Sequence, residues 1–220
     1  MAQAQTSKIL TPIDSPTTSV VGAGFFAGRA DTVARELLGK WLVVCSADGQ
    51  PMRHLIVETE AYMGAHDLAC HGRTGQTQRN ATMFGPAGRW YVYLCYGMHW
   101  MLNIVTGEQG TPAAVLLRGL GDCSGPGRLT KALGIDRSFD GQPASRHSGL
   151  WFEHGGTPIP RRLIHRSPRI GVGYAGEWAQ KPLRFFVDAK RLAMIRSELP
   201  AALGPELGVS HKSVKRKADS

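Results

Sequence analysis

The chain has 220 residues, of which 42% are hydrophobic. This length suffices for one domain with a substantial core and is short for two full domains. No stretch approaches the ~18–20 apolar residues of a membrane span, and the N-terminal sequence, with one lysine and no apolar run, does not resemble a secretory signal. We therefore expect no membrane partner and a location in the cytoplasm or nucleoid, or in the nucleus of a eukaryotic cell.

Basic residues outnumber acidic ones by 26 to 17, which gives a formal net charge of +9. A basic surface favours a polyanionic partner because phosphate contacts release counterions, although an ordinary basic enzyme has the same balance. The four cysteines form no CxxC pair, which argues against a zinc site and a disulfide framework. We expect neither a metal nor a cofactor.

Short, mixed elements follow one another along the chain. A helix capped by Asp31 should end at Gly39, and another short helix should follow Pro126. Period-two patterns and turn residues predict six strands, which are Trp41–Cys45, Arg53–Tyr62, Trp90–Tyr96, Met101–Val105, Ala113–Leu120 and Arg184–Val187. Strands this close together pair antiparallel, since parallel crossovers need a dozen or more residues. The predicted fold is α+β, a single domain around a curved, open-barrel-like antiparallel sheet with short flanking helices.

Composition divides the chain into three parts. Residues 1–18 are rich in Gln, Ser, Thr and Pro and are predicted to be a mobile arm. Residues 19–198 form the folded domain, and residues 199–220 form a basic tail that we expect to be mobile.

The strand predicted around residue 58 carries two carboxylates. Alternation assigns Glu58, Glu60 and Tyr62 to one face, and Leu55, Val57, Thr59 and Ala61 to the other. Two carboxylates beside an aromatic ring, on a strand that buries its opposite face, suit acid–base chemistry. A solvated polar face explains the same pattern.

Aromatic side chains are concentrated between Trp90 and Trp100. Most of them should belong to the core, but Tyr96 and Met98 flank Gly97 in a tight connection, where side chains project outward. Exposed side chains of this kind at a hairpin tip can stack on bases or wedge between them.

A single charge ends an otherwise apolar strand. Arg118 follows Ala113–Leu117, and an embedded charge needs a partner. Arg118 is therefore either a functional residue or one half of a structural ion pair. A second motif, GVGYAG at residues 171–176, satisfies GxGxxG but has neither a βαβ context nor an acidic residue about 20 positions downstream, so we do not interpret it as a dinucleotide site.

Taken together, these segments resemble the alkyladenine (3-methyladenine) DNA glycosylase family from about Gly24 to Val187. Eight blocks occur in family order: IVETEAY (56–62), HxR at His71, RNxxMF (79–84), YVYxxYGM (91–98), LN (102–103), VLLR (115–118), SGPGRL (124–129) and GVGYAGEWAQKPLRF (171–185). The connection 119–123 is shorter than in family members generally.

The resemblance implies roles at individual positions. Glu60 corresponds to the general base that activates the hydrolytic water, and Arg118 to the arginine that helps to place it. Tyr62, His71 and Tyr93 correspond to residues that hold the flipped base. Asn103 corresponds to a gate against the 2-amino group of guanine, and Tyr96, with Met98 beside it, to the wedge that fills the gap in the duplex. No catalytic role carries over to Glu58.

The implied function is monofunctional base excision of alkylated or deaminated purines from double-stranded DNA by a monomer. The purines are 3-methyladenine, 7-methylguanine, hypoxanthine and ethenoadenine. Two alternatives stay open: a non-catalytic binder of damaged DNA, and a carbohydrate or nucleoside hydrolase that uses Glu58 and Glu60 together. Steep salt dependence would favour a DNA enzyme over that hydrolase.

Overall fold

A computed structural model of the chain describes residues 18–46, 48–121, 123–155 and 159–187. The arm predicted at 1–18, apart from Thr18, and the tail predicted at 199–220 lie outside these residues. None of the helices in the described part combines the length and apolar character needed to span a membrane.

The described residues form two α-helices and nine strands, joined by turns and short 3-10 segments. The helices are α1, Ala30–Leu37, and α2, Pro126–Ala132. The strands are β1, Trp41–Cys45; β2, Pro51–Met63; β3, Trp90–Cys95; β4, His99–Val105; β5, Ala113–Leu120; β6, Cys123–Ser124; β7, Leu150–Glu153; β8, His165–Ser167; and β9, Arg184–Phe186.

The strands pair antiparallel throughout, in the order β3-β4-β5-β2-β1-β7. Three short strands extend this path, since β6 pairs with β5, β9 with β2, and β8 with β9. The described strands do not close into a barrel. The α+β prediction with an open antiparallel sheet is therefore confirmed.

Most predicted elements are present, with differences at their ends. Strands β1 and β5 have the predicted bounds, whereas β6, β7 and β8 were not predicted because they are two to four residues long and too short to show periodicity. The predicted cap is wrong, since Arg29 occupies the N-cap of α1 and Asp31 lies in its first turn. The negative charge of Asp31 in the first turn still stabilises the helix, because the N-terminal end of a helix carries a partial positive charge. Gly39 follows the helix in a left-handed conformation (φ 83°), as predicted.

Strand β2 does not alternate regularly, because it contains a bulge at Glu58, where its pairing with β5 shifts register. Leu55 and Val57 consequently belong to a small cluster with the tryptophans of β1 and β7, while Ala61 lies in the main core. The predicted single face for these residues is therefore wrong, because a bulge puts one extra residue into the strand and reverses its facing.

Helix α1 covers the core side of β2. Val33 and Leu37 are buried against the sheet, and burial of each such side chain contributes about 1.5–3 kcal/mol. Thr59 donates a hydrogen bond from its hydroxyl to the carbonyl of Ala34 at 2.8 Å. This contact fixes the helix beside the bulge, and the opposite face of β2 turns toward the site.

Candidate active site

A cavity of about 440 Å³ opens between the β3–β4 hairpin, the centre of β2 and β5, and the loop after β8. Six of the eight predicted site residues line it: Tyr62, His71, Tyr93, Tyr96, Asn103 and Arg118. Met98 and Glu60 are not among the lining residues, because Met98 projects from the hairpin and Glu60 lies one layer beneath the cavity surface. These residues are far apart in the sequence, and antiparallel pairing brings them together.

Glu60 is completely buried and its carboxylate contacts three lining residues. Oε1 accepts a hydrogen bond from the backbone N–H of Ile170 at 2.8 Å and lies 3.4 Å from Nε of Arg118. Oε2 accepts a hydrogen bond from the Tyr62 hydroxyl at 3.1 Å. Burial raises the pKa of Glu60, and it outweighs the opposing effects of Arg118 and the two hydrogen bonds. A carboxylate in this state is a stronger base than an exposed one.

Arg118 connects the two carboxylates of β2. Its Nε donates to Oε1 of Glu58 at 3.1 Å and lies 3.4 Å from Oε1 of Glu60, and its side chain reaches the cavity wall. Arg118 is therefore one half of an ion pair, which is one of the two possibilities left open, and it also lines the cavity. The solvated-face interpretation of β2 is wrong, since Glu58 and Glu60 are 7% and 0% exposed.

Three aromatic rings, those of His71, Tyr91 and Tyr93, form part of the cavity wall. Nδ1 of His71 lies 3.0 Å from the Tyr91 hydroxyl, and the His71 ring meets Tyr93 edge to face, with ring centroids 4.5 Å apart. Burial, together with the nearby Arg79 guanidinium, lowers the pKa of His71. The imidazole is therefore neutral at physiological pH and has one nitrogen that donates and one that accepts.

Asn103 is held rigidly in β4. It is 3% exposed, and Nδ2 donates to the carbonyls of Tyr91 and Met101 at 3.0 and 3.2 Å. Because these bonds fix the amide, a ligand in the cavity meets it in one orientation.

The tip of the β3–β4 hairpin carries two exposed apolar side chains. Tyr96 is 87% exposed and Met98 is 71% exposed. Tyr96 has φ 51°, the only positive φ of a non-glycine residue in the described ranges, and is followed by Gly97 at φ 68°. Two successive positive φ angles are typical of the tightest hairpin turns, and in a tyrosine they cost conformational energy. Such strain is characteristic of functional sites.

An ion pair beneath the cavity was missed by the sequence analysis. Arg169 and Asp67 have fully buried side chains and pair through two hydrogen bonds of 2.6 and 2.8 Å. Arg169 also donates to the carbonyl of Ala61 at 2.8 Å, and its guanidinium lies 4.7 Å from the centre of the Tyr62 ring. Charged residues of ordinary loops carry no sequence signal that distinguishes this pair from surface charges.

The GVGYAG segment forms one side of the cavity mouth. Ile170, Gly171, Val172 and Tyr174 line it, and Tyr174 is 65% exposed. The family block at 171–185 and the GxGxxG match within it were the sequence signals for this segment, and neither assigned a role to Tyr174 or to the N–H of Ile170. Within the described ranges, no group of three or more His, Cys, Asp or Glu side chains could hold a metal ion.

Comparison with known proteins identifies the family of the chain. The model of the methylpurine-DNA glycosylase family matches residues 24–123 and 120–191, two segments that meet at the short connection after Arg118. A protein of Myxococcus xanthus named as a 3-methyladenine DNA glycosylase is 48% identical over 172 residues, covering 74% of this chain and 87% of that protein. The DNA-3-methyladenine glycosylases of Mus musculus and Homo sapiens are 42% and 39% identical, covering 76% of this chain in each case, and 59% and 65% of their own lengths. The chain therefore belongs to the methylpurine-DNA glycosylase family, whose members are DNA-repair hydrolases that cleave the N-glycosyl bond.

Proposed function

We propose that this protein is a monofunctional DNA glycosylase of base excision repair. It flips an alkylated or deaminated purine out of double-stranded DNA and hydrolyses the bond between the base and deoxyribose. Its substrates are 3-methyladenine, 7-methylguanine, hypoxanthine and ethenoadenine. The observation that carries the proposal is a buried glutamate with a raised pKa beside an arginine that reaches an aromatic cavity.

Recognition of the base rests on the aromatic wall. A base inside the duplex cannot be attacked, and extrusion costs about a few kcal/mol. Stacking on Tyr62, His71 or Tyr93 recovers about 1–3 kcal/mol per base. Alkylation makes the purine cationic, and the electron-rich tyrosine faces favour a cation. The neutral His71 avoids repulsion with that charge.

Hydrolysis uses Glu60 as the general base. The carboxylate takes a proton from water, the water oxygen bonds to C1′ of the sugar, and the bond between C1′ and the purine nitrogen breaks. A cationic alkylated purine leaves as a neutral base, whereas hypoxanthine or ethenoadenine needs a proton on the ring as it departs. Arg118 helps to place the water. Because no described lining residue is a lysine, an amine nucleophile is not expected, and the product is an abasic site in an uncleaved strand.

The hairpin tip and the basic surface of the protein contact the duplex. Tyr96 enters the gap left by the flipped nucleotide, with Met98 beside it, in the manner of other apolar wedges. The net charge of +9 supports binding to phosphates. We propose that the protein acts as a monomer.

Single-turnover base release tests the proposal. A duplex with one hypoxanthine or one ethenoadenine is incubated with excess wild-type protein or Glu60→Gln, and alkali-labile abasic sites are measured. We expect release by the wild type and a loss of about 10²–10⁴-fold in the variant, the usual contribution of a general base, with lesion binding retained.

Other outcomes would support the alternatives. If both proteins bind the lesion and neither releases it, with alkylated purines tried as well, the protein is a non-catalytic damage binder. Release from free nucleosides that is insensitive to salt would instead indicate a small-molecule hydrolase.

A further inference from the structure

Glu58 is a buried carboxylate. It lies close to the proposed catalytic pair, Glu60 and Arg118, but does not itself line the cavity. Its Oε1 accepts hydrogen bonds from Nε of Arg118 at 3.1 Å and from Nε of Arg184 at 2.6 Å. Arg184 lies on β9, next to Glu60 in the register of β2 and β9. Glu58 is therefore joined to Glu60 through an arginine that both carboxylates share.

The backbone around Glu58 is adapted to this position. The bulge in β2 is centred on Glu58, and bulges next to active sites commonly redirect a side chain. Opposite it, a Cβ added to Gly119 would lie 2.9 Å from Cβ of Glu58 and 3.2 Å from its Oε2. Any side chain at position 119 would displace the carboxylate, so the close approach of β5 requires glycine there.

The charges of this cluster balance. Glu58 and Glu60 carry two negative charges, and Arg118 and Arg184 carry two positive ones. The Arg169 guanidinium acts to lower the pKa of Glu60, and its own charge is compensated by Asp67. Among the described residues, Glu60 also accepts hydrogen bonds from the Tyr62 hydroxyl and the N–H of Ile170, and it interacts electrostatically with the buried Tyr93.

Resting on the proposed function, we propose that Glu58 is a positioning residue for the hydrolytic step. By binding Nε of Arg118, it prevents this arginine from forming a full ion pair with Glu60 and orients the guanidinium toward the cavity. Glu60 then stays free to take the proton of the attacking water, and Arg118 stays in reach of that water.

Glu58→Gln tests this role, since it preserves the shape and removes the charge. Arg118 would then pair with Glu60 alone. We expect single-turnover release of 7-methylguanine to fall about 10–100-fold, the scale of a misplacement of about 1 Å. The acidic limb of the pH–rate profile should move to lower pH, because loss of a neighbouring negative charge lowers the pKa of Glu60. Binding of a duplex with a tetrahydrofuran abasic-site analogue should stay within about threefold, as expected for a residue outside the cavity.

Arg184→Gln provides a second test that does not depend on folding of the first variant. Removal of this cation leaves Glu58 to pair with Arg118 alone and takes a positive charge from the neighbourhood of Glu60. The acidic limb should therefore move to higher pH, opposite to the shift in Glu58→Gln. If Glu58 and Arg184 had a purely structural role, the two variants would have a lower folded fraction, but the acidic limb of the pH–rate profile would not move in either of them.

Glu153→Gln is the matched control. Glu153 is also a buried carboxylate bound by two arginines, Arg53 at 2.7 Å and Arg146 at 3.3 Å, and it is not a lining residue of the cavity. Its variant should keep the wild-type rate per folded molecule and the wild-type pH limb. If Glu58→Gln or Arg184→Gln behaves like this control while the wild type releases base, the positioning role is overturned and the proposed function stands. If the wild type releases no base, the proposed function itself has failed.

Discussion

Glu153 and Glu60 are both completely buried carboxylates of the same sheet, but their surroundings differ in how fully they compensate the charge. Glu153 accepts hydrogen bonds from Arg53, Arg146, Trp151 and Thr18, between 2.7 and 3.3 Å. Burial alone would raise the pKa of Glu153, but the donors outweigh it and hold the pKa below the ordinary value. This carboxylate is ionised at neutral pH, and its hydrogen bonds join β7 to β2 and to Thr18.

Glu60 has fewer charged donors. It shares the guanidinium of Arg118 with Glu58, and its other partners are a backbone N–H and a tyrosine hydroxyl. Burial therefore dominates, and the pKa is raised. The comparison shows that burial does not by itself identify a catalytic carboxylate. Incomplete compensation beside a cavity distinguishes Glu60 from Glu153 and supports the proposal that Glu60 is the general base.

The difference between the two carboxylates should have its largest effect on stability, and the sign of that effect should differ between the two sites. The lowered pKa of Glu153 contributes stability that is present above its unfolded-state pKa and is lost as pH falls through the folded-state pKa. Glu153→Gln at pH 7 should lower the free energy of unfolding by about 1–3 kcal/mol, because it leaves buried donors poorly paired. For Glu60 the sign is reversed, since a raised pKa disfavours the ionised form in the folded state.

Glu60→Gln should accordingly raise the free energy of unfolding at pH 7, by about 0.5–1 kcal/mol, as relaxation of a destabilised active site commonly does. Urea denaturation of both variants measures the two changes. Equal losses of the free energy of unfolding in the two variants would show that the charges of Glu60 and Glu153 are compensated to the same degree.

The next effect is the pH dependence of catalysis. Release of 7-methylguanine, which needs no proton on the leaving base, should increase with pH as Glu60 ionises and then level off. Its midpoint should lie above the ordinary glutamate value of about 4.3, and below the midpoint the rate should fall about tenfold per pH unit.

A duplex without protein corrects this profile for acid-catalysed depurination, and the residual rate of Glu60→Gln should show no such limb. A wild-type midpoint at or below the ordinary glutamate value would mean that Glu60 is as well compensated as Glu153.

The smallest expected effect concerns specificity. Asn103→Ser removes an amide that is fixed by two backbone carbonyls, and it opens space where the 2-amino group of guanine would meet it. We expect the release of guanine relative to hypoxanthine to rise about tenfold, within the range that small steric changes in a pocket produce. Guanine release at the wild-type level, with hypoxanthine release intact, would argue against a gate at this position.

Local patterns sufficed for much of the fold, whereas the candidate site residues were selected by the family resemblance, and six of the eight line one cavity. Strand β1 and strand β5 were predicted with their observed bounds, because apolar and β-branched runs between turn residues constrain them locally. The bulge at Glu58 was not predictable, since the extra residue is defined only by the register with β5. Leu55 and Val57 were therefore wrongly predicted to share a face of the strand with Ala61.

The sequence alone was sufficient to identify the available chemistry: the carboxylates of β2, the aromatic hairpin, and Arg118 near the end of an apolar strand, in the order of a known family. The sharing of Arg118 between Glu58 and Glu60, and the contacts that Arg184 and the N–H of Ile170 add, are visible in the folded chain alone. Compensation of a buried charge depends on distances between segments that are 60 to 126 residues apart in the chain. No local pattern contains those distances, and the pKa of Glu60 depends on them.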